Sequence, residues 1–246
     1  MEILEIQKVD LTSFCYLNKG RYPFLLESVN HNENNRYSIL FAFPGDNIVL
    51  KNFSDFDFLK ELQDKSKSTI LDSELPFIGG WFVYLSYELI GQIESTLASK
   101  LHKSTLPIAY AVQVPSAIIV DHKLDKTFII DQDNNQSRIN SILSDIKLLN
   151  KTPTQRIKGS QSEEVENKFI DGVKSSLDYI VAGDVFQVNL SRKWQYQLTE
   201  TTDSAIIYNA LKKANPAPFS ALIQYENFSI ISSSPERLFS VDDKTL

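Results

Sequence analysis

Glu236, in Ser-Pro-Glu-Arg, is the ionisable residue whose neighbourhood most invites chemistry. Beside Arg237, the plain reading of Glu236 is a surface ion pair. To act as an acid it must instead keep its proton near neutral pH, which requires burial or a nearby negative charge. Gly183-Asp184 has the look of chemistry, but a glycine that stops a helix, followed by a capping carboxylate, accounts for it. Gln187 and Asn189 lie two apart and so share one strand face, with structural hydrogen-bonding roles. His31, His102 and His122 sit in polar, loop-like stretches without His-x-x-x-His spacing, and read as solvated surface residues. Cys15 is the only cysteine, which removes an internal disulfide framework and a cysteine-based zinc site.

The elements that must hold these residues are legible in outline. Between Tyr22 and Leu50 two apolar stretches flank the polar His-Asn-Glu-Asn-Asn-Arg, the pattern of two strands and a turn. Ser54 is a candidate N-cap for a helix carrying Phe58, Leu59 and Leu62 on one face. Leu75 to Glu94 begins with a proline and paired glycines and continues with aromatic and β-branched residues suited to a buried strand. Two further strands flank Asp-His-Lys-Leu-Asp-Lys, and Ile139, Ile142, Leu143, Ile146 and Leu149 fall at helical spacing.

Residues 151–162 are polar and aperiodic and read as a linker between an N-terminal domain, 1–150, and a second domain from 163 to 246. In that second domain a capping box at Ser160 and Glu163 introduces an amphipathic helix through Val165, Phe169, Val173, Leu177 and Ile180. Gly183 stops it, and a strand follows from Asp184 to Leu198. A helix over Ser204–Ala214 ends at Asn215-Pro216, because the residue before proline leaves helical geometry. Two strands then lead to Ser-Pro-Glu-Arg. The sum is an α+β protein rich in antiparallel sheet.

Composition narrows the class. The 246 residues, 42% hydrophobic, can bury a real core, and a net charge of -6 without a basic block argues against nucleic acid. The start lacks a secretory pattern, and no apolar run approaches the roughly 18 residues of a membrane span. A reducing, cytoplasmic setting fits the single cysteine.

Six segments resemble the component I subunits of anthranilate synthase and aminodeoxychorismate synthase, in the family's order. They are LLES (Leu25 to Ser28), RYS (Arg36 to Ser38), GGWFVYLSYEL (Gly79 to Leu89), AGDVFQVNLS (Ala182 to Ser191), NPAPFSALI (Asn215 to Ile223) and SSSPERL (Ser232 to Leu238). Ser86 departs from the family's usual glycine. The resemblance implies facing antiparallel β-sheets with helices outside. It also implies amination of chorismate with ammonia from a glutamine amidotransferase partner, with Mg2+ holding the substrate. Asn189 and Phe219-Ser220 favour aminodeoxychorismate synthase, which serves 4-aminobenzoate and folate synthesis. LLES is the spelling common in anthranilate synthases, the alternative, and a non-catalytic tryptophan-binding fragment is a further one.

By the same resemblance Glu236 assists departure of the chorismate C4 hydroxyl. Glu27, Ser28, Ser38, Pro218, Phe219 and Ser220 line a tryptophan pocket, with Glu27 against the ligand's ammonium. The magnesium ligands, a chorismate-site histidine and the lysine of a Pro-Ile-Lys-Gly-Thr segment match nothing here, so a truncated front half, inactive alone and leaving sheet edges uncovered, is expected.

Overall fold

Most of the chain folds as two antiparallel sheets with helices packed on their outer faces. The structure, a computed structural model, describes residues 1–30, 35–66, 73–100 and 105–239. Along the chain run β1 (Glu2–Ile6), α1 (Leu11–Leu17), β2 (Phe24–Glu27), β3 (Tyr37–Ala42), β4 (Asn47–Leu50), α2 (Phe58–Lys65), β5 (Gly80–Leu85) and α3 (Ile90–Ile93). They continue with β6 (Ala109–Val114), β7 (Ser116–Asp121), β8 (Lys126–Asp131), α4 (Gln136–Leu148), β9 (Gly159–Glu163), α5 (Glu166–Ala182), β10 (Trp194–Leu198), α6 (Ser204–Ala214), β11 (Phe219–Tyr225) and β12 (Phe228–Ser234).

Seven strands pair in the order β1-β8-β7-β3-β2-β11-β12, and three in the order β4-β6-β5. Successive side chains of a strand point to opposite faces, so neighbouring residues serve different cores. Phe24 joins Phe41 of the large sheet against Phe82, Tyr110, Val112 and Val114 of the small one. The Phe24 and Phe82 rings stack at 4.1 Å. Leu25, one residue on, enters the opposite core with Leu40, Ile118 and Leu222, against Phe14 and Cys15 of α1, Ile139 and Ile142 of α4 and Tyr208 of α6. Phe58 of α2 packs on the outer face of the small sheet with Ile48, Leu50 and Ala109. The α+β class, with antiparallel sheets and peripheral helices, is as the sequence indicates.

The chain forms two compact units, Met1–Thr154 with the residues from Asp203 onward, and Gln155–Thr202. A contiguous division into 1–150 and 163–246 therefore does not describe them. The reason is strand pairing: β11 lies against β2 in register, Ser220 opposite Glu27 and Leu222 opposite Leu25, which places the later segment in the sheet of the earlier one. The smaller unit holds β9, α5 and β10, with β9 and β10 paired from Trp194 opposite Glu163 to Leu198 opposite Gly159.

Local expectations were met unevenly. The β7–β8 hairpin, α4 and α6 form where the patterns place them. Gly183 ends α5 at a φ of 81°, a left-handed conformation that glycine adopts without steric cost. The cap of α2 is Asp57, not Ser54, because Asp57 keeps extended backbone angles and its carboxylate accepts the Lys60 N–H at 3.0 Å. Ser160 and Glu163 belong to strand β9 and form no capping box. The strand expected from Asp184 is confined to Trp194–Leu198, since β9 offers only five residues to pair with. Helix α5 carries the expected apolar stripe, but none of its residues is buried among the described residues.

Candidate functional site

The end of β2, the start of β3 and one face of α6 converge on a cavity of about 260 Å³. Its wall includes Glu27, Ser28, Ser38, His122, Lys212 and Lys213. Strand geometry makes this convergence: β2 stops at Glu27, and beyond it the Val29 N–H donates to the Ala217 carbonyl at 3.1 Å while the Ser28 hydroxyl donates to the Pro218 carbonyl at 3.0 Å. These bonds carry the β2–β11 pairing past the strand end. Ser28 and Ser38 are buried, and the Ser28 N–H donates to Ser38 Oγ at 3.0 Å.

Glu27, the last residue of β2, is largely withdrawn from water, and its carboxylate is paired within the chain. Lys212 Nζ lies 3.1 and 3.0 Å from its two oxygens, and the Tyr208 hydroxyl donates to it at 2.6 Å. The same Lys212 ammonium donates to Thr12 Oγ1 at 2.6 Å. Burial and the adjacent Glu27 charge push the Tyr208 phenol well above its ordinary range, so it stays a donor. Tyr208 and Lys212 are four apart and share the inward face of α6, next to α1 and the sheet. Helical periodicity shows α6; only the i, i+4 pairing of a tyrosine and a lysine on its apolar side hints at this network.

His122 is half-buried and not a solvated surface residue: its Nε2 lies 2.7 Å from Ser38 Oγ on the cavity wall. His122 directly follows β7, which pairs with β3 so that Ser38 faces Val120. Asp121 itself is buried and bound by Arg36 through Nε at 2.9 Å and a terminal nitrogen at 2.5 Å. Burial alone would raise the Asp121 carboxyl, but the Arg36 bond and two backbone N–H donors outweigh it and hold it below the usual carboxylate range. His31 and His102 lie outside the described residues.

The remaining expected residues are not on the wall of this cavity. Pro218 contributes its carbonyl to Ser28. Phe219 opens β11 half-buried, with the Arg237 guanidinium 5.2 Å from its ring centre. Ser220 is buried, and its hydroxyl donates to the Ala217 carbonyl at 3.2 Å. Glu236 follows β12 and is exposed, in a turn where the Ser234 hydroxyl donates to its carbonyl at 2.9 Å. The burial that an acid at Glu236 requires is therefore not supplied by the described residues. Gln187 and Asn189 lie 3.5 Å apart, amide to amide, outside any strand.

Among the described residues no three His, Cys, Asp or Glu side chains converge to hold a metal ion. The described residues thus offer no such set for the Mg2+ that the resemblance implies. No helix of the described residues is long and apolar enough to cross a membrane.

Comparison with known proteins places these features in a lineage. A sequence model of the family described as chorismate binding enzyme matches residues 21–246. Anthranilate synthase component 1 of Lactococcus lactis subsp. lactis is 26% identical over 248 residues, covering 91% of this chain and 54% of that protein. Aminodeoxychorismate synthase component 1 of Bacillus subtilis is 28% identical over 195 residues, covering 74% of this chain and 41% of that protein. The fold agrees with that of anthranilate synthase component I from Streptococcus pneumoniae TIGR4, with a TM-score of 0.70 at 23% identity over 88% of this chain and 54% of that one. The chain spans about half the length of the curated relatives it matches. The family match takes in β2, β3 and α6, which bring Glu27, Ser38, Lys212 and Lys213 to the cavity, and it shows that the chain belongs to the chorismate-binding enzyme family.

Proposed function

We propose that this chain supplies the front part of a component I-type subunit that aminates chorismate, using ammonia delivered by a glutamine amidotransferase partner and Mg2+ bound by residues outside this chain. The observation that carries the reading is the family match over residues 21–246, which takes in Ser-Pro-Glu-Arg at the end of β12. In this reading Glu236 assists loss of the C4 hydroxyl, because hydroxide leaves readily only when protonated as the bond breaks. The burial that Glu236 then needs is supplied by something other than the described residues, among which it is exposed. In this reading the cavity at β2, β3 and α6 is an effector site built on Ser28 and Ser38, with Glu236 not on its wall.

Anthranilate formation is the outcome favoured by the relatives, since the Lactococcus lactis and Thermus thermophilus proteins, each aligned over most of this chain, are anthranilate synthase components. Formation of 4-amino-4-deoxychorismate is the second reading, favoured by Asn189 and Phe219-Ser220. The chain, co-expressed with a polypeptide spanning the C-terminal half of a component I relative, is supplied with chorismate, Mg2+ and ammonium. Fluorescent anthranilate supports the first reading; 4-aminobenzoate after addition of a lyase supports the second. Stable assembly of the two halves without either product would sink both.

A further inference from the structure

One cross-strand pair holds the Ser-Pro-Glu-Arg turn on both sides of its glutamate. In the β11–β12 ladder Phe219 lies opposite Ser234. The Ser234 hydroxyl donates to the Glu236 carbonyl at 2.9 Å and its oxygen accepts the Glu236 N–H at 3.4 Å, so the backbone of Glu236 is tied to the strand end before it. On the other side, the guanidinium of Arg237 lies 5.2 Å from the centre of the Phe219 ring. Pro235 stands between, its φ fixed by its own ring, and it favours extended backbone at Ser234. The Ser233 hydroxyl donates to the Asn215 carbonyl at 2.5 Å and so anchors β12 to the C-cap of α6.

We propose that Arg237 is a positioning residue for Glu236: its guanidinium, laid on the Phe219 ring, clamps the chain just beyond the glutamate while Ser234 clamps it just before, so that the carboxylate meets the leaving hydroxyl from a fixed backbone. The inference rests on the reading of Glu236 as the acid of the reaction. Phe219 is half-buried at the start of β11 and belongs to the seven-stranded sheet, whereas Arg237 and Glu236 are both exposed. The rigid partner therefore orders the mobile one. A planar, weakly hydrated guanidinium lies flat on an aromatic face, which a surface lysine does less well. With its backbone held on both sides, Glu236 has only its own side-chain torsions left to order, and the rate of a proton transfer depends steeply on that alignment. Each residue of the motif then has a part: Ser234 ties, Pro235 stiffens, Glu236 reacts and Arg237 locks.

The chain assembled with the C-terminal half of a component I relative, and given chorismate, Mg2+ and ammonium, yields kcat and the KM for chorismate. Arg237→Ala is expected to lower kcat about tenfold to hundredfold, the scale of a small misplacement of a reacting group, with KM changed less than about twofold. Phe219→Leu should reproduce that loss, and the double variant should be no slower than either single one, because both remove the same contact. Arg237→Lys and Phe219→Tyr keep a cation and a ring and should each recover most of the rate. A raised KM with kcat intact, or an Arg237→Ala loss that Phe219→Leu does not share, overturns the proposal. In the 246-residue chain alone, the Arg237 Nε–H resonance should be moved upfield by the Phe219 ring and return to its ordinary position in Phe219→Leu; an unshifted resonance in the wild-type chain overturns the clamp. A stable wild-type assembly that keeps this shift yet forms no aminated product refutes the amination reading alone.

Discussion

The backbone N–H of Ser28 donates to the side-chain oxygen of Ser38 across 3.0 Å, joining the end of β2 to the start of β3 at the wall of the cavity. Both residues are buried, so Ser38→Ala leaves an N–H without its acceptor in a place water does not readily reach. Such a loss costs about 1–3 kcal/mol. Urea unfolding should show a lower midpoint of that size with an unchanged slope.

A second buried pair controls acid stability. Asp131, fully buried at the end of β8, receives Arg138 Nε at 2.6 Å and a terminal nitrogen at 2.9 Å, the Ser116 hydroxyl at 2.6 Å and the Asn135 N–H at 2.8 Å. Burial raises this carboxyl, and the Arg138 bond with the other donors more than reverses that, leaving it below the usual range. A carboxyl lowered on folding stabilises the native state above its unfolded value, about 3.9, and loses that contribution as pH falls toward the folded value. Wild-type stability by urea titration should therefore drop as pH falls below about 4, and Asp131→Asn should be less stable at neutral pH but show a shallower drop. Asp131→Ala strands Arg138 and should cost about 3–5 kcal/mol at neutral pH.

The packing between sheets hinges on a ring pair. Phe24 and Phe82 lie parallel at 4.1 Å, and Phe41 meets Phe82 edge-on at 5.2 Å. Phe82→Ala leaves a cavity between the sheets and should cost about 3–5 kcal/mol, read from the denaturant midpoint. Phe82→Leu should recover much of that loss.

Cys15 is fully buried within α1, and burial together with the charge of Glu27 pushes its thiol far up. The thiolate is the reactive form, so a thiol reagent at mildly alkaline pH should leave the native chain untouched and label it stoichiometrically in denaturant. Rapid labelling of the native chain would mean that α1 opens readily from the core.

Much of this architecture could be read from residue order, and what escaped did so for local physical reasons. Helix α6 was delimited by Asn215-Pro216, and the end of α5 by Gly183, because proline and glycine restrict the backbone directly. Helix α1 was not foreseen: Thr-Ser-Phe-Cys-Tyr-Leu mixes β-branched, small and aromatic residues of middling helix propensity, and packing against α6 and β2 decides it. Strand β9, Gly-Ser-Gln-Ser-Glu, has no apolar alternation and forms through pairing with β10. Glu27, Ser28 and Ser38, which the resemblance groups, line one cavity, whereas Lys212 and Tyr208 carry no such signal, because about 180 residues separate them from Glu27 and only the β2–β11 pairing brings α6 over the strand end. His122 was misplaced because a polar turn sequence does not show that the preceding strand aims the imidazole at Ser38.

The central claim, that this chain belongs to an enzyme that aminates chorismate through Glu236, is tested most directly by following isotopically labelled ammonium into chorismate. The chain and its Glu236→Gln variant, each assembled with the C-terminal half of a component I relative and supplied with Mg2+, are compared by mass spectrometry of the products. Label should enter an aminated product with the wild-type chain and do so roughly 10²–10⁴-fold more slowly with the variant. Assemblies that form equally well but incorporate no label, or incorporate it at the same rate with and without the Glu236 carboxyl, would contradict the account.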